Sequence, residues 1–127
     1  MTLIQLTAAA GVLGLVAYLA LSVTRAADMR LTWHWPALGS AIFLAYSLYT
    51  VTNDGLFGFW TEHTESLWGL QVWTDLLLAF AIGWTFLAGR ARAQGMTLLP
   101  WALFLLTTGC IGLLAMMARV LWLEQRA

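Results

Sequence analysis

A single carboxylate, Asp75, lies inside an apolar run from Leu67 to Ala88. An acid in hydrocarbon costs roughly 2.5–3.5 kcal/mol on insertion scales, so it is retained where it has a partner or a use. A carboxyl so placed can pass a proton or hold a polar ligand group, which makes Asp75 the candidate catalytic residue. Trp68, Gln71 and Asp75 recur at i, i+3, i+7 and share one helical face. Asn53 and Arg119 complete the set, because up-and-down topology brings the ends of their segments to the same side. At 1.5 Å per residue Asp75 sits about 12 Å inside Leu67 and Arg119 about 6 Å inside Leu123. The sequence therefore predicts an Asp75–Arg119 ion pair, with Gln71 and Asn53 meeting the remaining hydrogen bonds. Such a cluster either holds helices together or forms a pocket for a ligand.

Other chemistries lack the residues. His34 and His63 fall in connections at opposite faces, separated by about 30 Å of hydrocarbon, and cannot share a metal or haem. Cys110 is the sole cysteine, so no intramolecular disulfide or Cys-based zinc site is expected. Net charge is zero and every basic residue is Arg, with no basic block for nucleic acid. No metal is expected.

The elements that must position this cluster follow from composition. Hydrophobic residues make up 61% of the chain and charged residues 9%, against about 25% charged in a soluble domain. Spans of about 17–25 apolar residues fit residues 3–23, 67–88 and 98–123, with a shorter one at 36–51. The expectation is an all-α, integral membrane four-helix up-and-down bundle, one transmembrane domain over residues 1–127. The first segment lacks a positively charged n-region and is read as a retained helix rather than a cleaved signal. Arg25 and Arg30 occupy one connection, Arg90 and Arg92 another, whereas the middle connection carries Asp54, Glu62 and Glu65. The positive-inside rule then puts the Arg loops in the cytoplasm and both termini outside, in a bacterial inner membrane. Tryptophans form two expected belts, Trp33, Trp35, Trp84 and Trp101 inside, Trp60, Trp68, Trp73 and Trp122 outside. In the long middle connection Phe57, Phe59 and Trp60 follow an Asn53-Asp54-Gly55 turn. They are expected to lie in the interface or fold over the bundle mouth as contact residues.

From Asp75-Leu76 the pattern continues through Arg90 and Arg92, Gly95, Trp101, and Gly109 with Gly112. Over residues 75–127 it resembles a loose group of small bacterial membrane proteins of unknown function, and the neoxanthin-synthase-like family linked to carotenoid metabolism. The resemblance implies a bound lipid or isoprenoid pigment, with no other cofactor. Two functions follow. One is an accessory or assembly subunit, with the bilayer and other membrane subunits as partners. The alternative is a membrane enzyme or binding protein for an isoprenoid- or carotenoid-like lipid acting through Asp75.

Overall fold

The computed structural model describes residues 1–25 and 31–127, except for the side chain of Arg25, and is all α-helical over them. The loop charge expected at Arg30 lies outside the described residues. Two units emerge, Met1–Leu31 and Thr32–Ala127.

The first unit is helix α1, Leu3–Arg25. Its start is a reciprocal capping box: Thr2 N–H donates to Gln5 Oε1 (2.8 Å) and Gln5 N–H donates to Thr2 Oγ1 (3.2 Å). Two backbone donors that no helical carbonyl could reach are thereby satisfied. The Gln5 side chain is thus taken up by the cap of its own helix. Thr7, Ser22 and Thr24 turn their hydroxyls back onto carbonyls one turn earlier, which lets an apolar helix carry hydroxyls without an outside partner.

The second unit comprises α2 (His34–Asp54), α3 (Gly58–Thr64), α4 (Leu67–Ala93), α5 (Leu98–Thr108) and α6 (Cys110–Arg126). Pro36, expected at the start of the second span, is buried in the first turn of α2, where its missing N–H is harmless. Ser66 caps α4 by accepting from Gly69 N–H at 2.9 Å. At the other end Gly95, at φ 73°, closes a Schellman motif, with Gly95 N–H to Arg92 O and Met96 N–H to Ala91 O. Helix α4 thus runs one turn beyond its expected end and includes Arg90.

The expected fourth helix, 98–123, is not one helix. Gly109, at φ 64° and ψ −128°, breaks it into α5 and α6, a conformation that a residue bearing Cβ strongly disfavours. The two pieces fold back on each other. Leu98 and Trp101, at the start of α5, pack against the cluster that contains Met116 and Val120 of α6. A Cβ at Gly112 would lie 2.7 Å from the Phe104 carbonyl carbon, so the α5 backbone rests directly on this glycine.

Helix α6 is the centre of the unit and supplies most of its buried residues, Ile111, Gly112, Met116, Ala118, Val120 and Leu121. It runs antiparallel to α2, since Ser40 Oγ donates to Ile111 O (2.9 Å) while Trp33 and Ala37 face Ala118 and Trp122. It runs parallel to α4, since a Cβ on Gly109 would meet Phe80, one on Gly83 would meet Leu113, and Arg90 pairs with Glu124. The core of Leu87, Ala91, Met116 and Val120 lies near the shared C-terminal ends. Beyond Gly109 neither α5 nor α6 continues, and no residue from 37 to 86 is buried.

Candidate functional site

The fold-back decides what the polar residues can do. With Phe80 level with Gly109 and Arg90 with Glu124, Arg119 lies near the height of Leu87. That is about 12 residues, or roughly 18 Å, along the axis from Asp75. The expected Asp75–Arg119 pair is therefore overturned, because Gly109 returns the chain to the end it came from. The C-terminus likewise joins Arg90 and Arg92, not the end bearing Asp75, which corrects the expectation that it lies opposite that connection. Trp122 moves with it, into the group containing Trp33, Trp84 and Trp101.

At the far end the remaining candidates stand apart. Asn53 Nδ2 donates to Tyr49 O (2.7 Å) and Thr50 Oγ1 to Tyr46 O (3.0 Å), so each is satisfied within α2. Gln71 and Asp75 are exposed and make no hydrogen bond or ion pair among the described residues. They lie on one stripe of α4 with Trp68, Leu78, Ile82 and Phe86, the last 76% exposed. The packed stripe of α4, through Phe80, Gly83, Leu87 and Ala91, is a different face. Asp75 is thus a lone carboxylate amid large apolar side chains, turned away from the unit's own core.

The middle connection is partly helical. In α3, Phe59 stacks on Trp73 with ring centroids 5.9 Å apart, and His63 lies 5.3 Å from the same indole. His63 Nδ1 is 2.6 Å from Phe59 O. A Cβ at Gly69 would clash with the Glu62 carbonyl, so α3 lies tightly along the start of α4. Phe57 and Trp60 remain exposed. Among the described residues no group of His, Cys, Asp and Glu could hold a metal.

Sequence reasoning missed the pair that closes the opposite end. Arg90 Nε donates to Glu124 Oε1 (2.9 Å) and Nη2 to Oε2 (2.6 Å). The bidentate guanidinium holds the Glu124 carboxyl below the usual carboxylate range. Two signals pointed to it: the Thr107-Thr108-Gly109 interruption, and an apolar run longer than one span needs. Arg90, Arg92, Arg119 and Arg126 thus share one end, and Asp54, Glu62, Glu65 and Asp75 lie toward the other.

Among the described residues two helices, Leu3–Thr24 and Leu67–Ala93, are long and apolar enough to cross a membrane. No family model matches this chain, and no curated protein or solved structure matches it either.

Proposed function

We propose that this is an integral membrane protein of the bacterial inner membrane that serves as an accessory or assembly subunit of a larger membrane complex. Its partner docks along the outward stripe of α4 around Asp75. The arginine-bearing end faces the cytoplasm, and the α5–α6 hairpin enters from that side. Helix α5, with 11 residues, is about 16 Å long, half of a hydrocarbon core about 30 Å thick.

The bilayer reading is supported by the surface of α4. A core helix of a soluble protein buries its apolar side chains, whereas Leu67 and Trp68 are 86% and 80% exposed. Charge supports it too, since folding back at Gly109 gathers Arg90, Arg92, Arg119 and Arg126 on one side, as the positive-inside rule requires.

The subunit reading is carried by one observation, the unpartnered Asp75 on that exposed stripe. A carboxylate facing lipid is costly, and a second helix presenting a cation or donor at its depth removes the cost. The open half between residues 37 and 86 offers room for such a helix.

A photo-crosslinking residue at Leu78 or Ile82, activated in native membranes, tests this. The expected product is one discrete adduct with a second polypeptide, absent when the residue is placed at Leu106 and lost with Asp75→Leu. Adducts to lipid or to the same chain alone contradict the proposal.

A further inference from the structure

The arginine-bearing end holds a second arrangement that the docking stripe does not involve. Helices α2 and α6, with Phe104 of α5, flank an open groove of ≈ 500 Å³, lined by Ala37, Ala41, Leu44 and Ala115 and ending at Trp33, Arg119 and Trp122. Its walls are apolar apart from Ser40, whose hydroxyl already donates to Ile111 O. Ala115, Arg119, Trp122 and Arg126 follow i, i+4, i+7, i+11 and share one face of α6.

Arg119 lines the mouth of the groove, and Arg126 lies beside the same Trp122 ring. The Arg119 guanidinium lies 4.5 Å from the centre of the Trp122 ring and that of Arg126 lies 4.0 Å from it. Neither has a carboxylate partner among the described residues, because Glu124 is engaged by Arg90. Their guanidinium carbons are at most about 8.5 Å apart by those two distances. Two guanidiniums beside one indole put two positive charges within reach of a single headgroup phosphate, which each can meet by charge-assisted hydrogen bonds.

We infer that the α2–α6 groove binds one anionic phospholipid, its phosphate held by Arg119 and Arg126 beside Trp122 and an acyl chain lying along Ala37, Ala41 and Leu44. Charge complementarity selects the anion and the apolar walls select a lipid rather than free phosphate. The cytoplasmic leaflet, rich in anionic headgroups, is where the positive-inside rule puts this end. The inference rests on the bilayer reading and not on the partner at Asp75.

The test is native mass spectrometry of delipidated protein in mild detergent, titrated with dioleoyl phosphatidylglycerol or dioleoyl phosphatidylcholine. One phosphatidylglycerol should bind roughly tenfold or more tightly than phosphatidylcholine, the scale that two arginines near a headgroup produce. The double variant Arg119→Gln, Arg126→Gln should lose this preference. Arg92→Gln, which removes a charge at the same end but outside the groove, should keep it, and so should Arg119→Lys, Arg126→Lys at least in part. Ala41→Phe, which fills the groove and leaves both arginines, should weaken phosphatidylglycerol binding several-fold. Equal binding of the two lipids overturns the inference, as does an equal loss in Arg92→Gln, unchanged binding in Ala41→Phe, or displacement of the lipid by millimolar inorganic phosphate. Release of the protein from membranes by alkaline carbonate would overturn the bilayer reading itself.

Discussion

Replacing Gly112 by alanine separates the folded-back hairpin from a straight fourth helix by the sign of its effect. In a continuous helix over residues 98–123, glycine is the poorer helix former, and alanine would stabilise by roughly 0.5–1 kcal/mol. In the hairpin the new Cβ would lie 2.7 Å from Phe104 C and 2.8 Å from Leu105 N. Ordinary contact needs about 3.5 Å, so α5 and α6 must part by about 0.8 Å. The obstructing atoms are backbone and cannot swing aside as a side chain would. Overpacking of this kind costs about 1–3 kcal/mol, which outweighs the gain in helix propensity. Net destabilisation of roughly 0.5–2 kcal/mol should lower the melting temperature in detergent by several degrees, given about 3–6 °C per kcal/mol for a chain of this size. Circular dichroism at the helical minimum reads this directly. A melting temperature equal to or above the parent's would refute the close approach of α5 to α6.

Gly109→Ala should destabilise by about 1–3 kcal/mol for a different reason, the cost of φ 64° and ψ −128° for a residue with Cβ, again seen in a detergent melt. Met116→Ala, at a position 1% exposed, should cost about 2–5 kcal/mol, while Asp75→Leu should leave the melting of the isolated protein unchanged or raise it, because Asp75 has no partner among the described residues. Charge reversal at Arg90 or Glu124 should each cost up to about 1 kcal/mol, as half-exposed pairs do, with the double reversal recovering most of it in a double-mutant cycle. The Glu124 carboxyl is depressed in the folded state. Its contribution is therefore fully present above the ordinary carboxylate value of about 4.3 and is lost as pH falls through the lower folded value. Acid melts of Glu124→Gln should lack that component, while parent and variant keep a constant difference from pH 7 down to about 5.

The helices were legible where local chemistry sets them. Leu67 begins α4 as expected because Ser66 caps it, and Pro36 marks the first turn of α2 because its ring tolerates no other helical position. Hydropathy alone does not mark the turn at Gly109, because Leu98–Thr108 and Cys110–Leu123 are both largely apolar and a straight helix also tolerates glycine, so the Thr107-Thr108-Gly109 interruption passes without a break in the apolar run. That one residue reassigned the site. Depth within a span depends on which end the chain reaches, and Arg119 was measured from the wrong end. Asp75 stood out as an acid in an apolar run, but whether it has a partner depends on which face of α4 meets α6, a property of packing at Phe80, Gly83 and Leu87. The α2–α6 groove was invisible for the same reason, since Arg119 and Trp33 lie far apart in sequence and meet only through the fold-back.

The distance between residues 93 and 125 bears most directly on all of this. Spin labels at Ala93→Cys and Gln125→Cys, in a Cys110→Ser background, can be read by pulsed electron–electron resonance in detergent and in liposomes. With Glu124 paired to Arg90, the fold-back places the labels within about 20 Å, allowing for their linkers. A continuous helix from Leu98 would carry residue 125 about 40 Å from its start at 1.5 Å per residue. A distribution centred near that longer distance would return Arg119 to the level of Asp75 and contradict both the open docking stripe and the anionic groove.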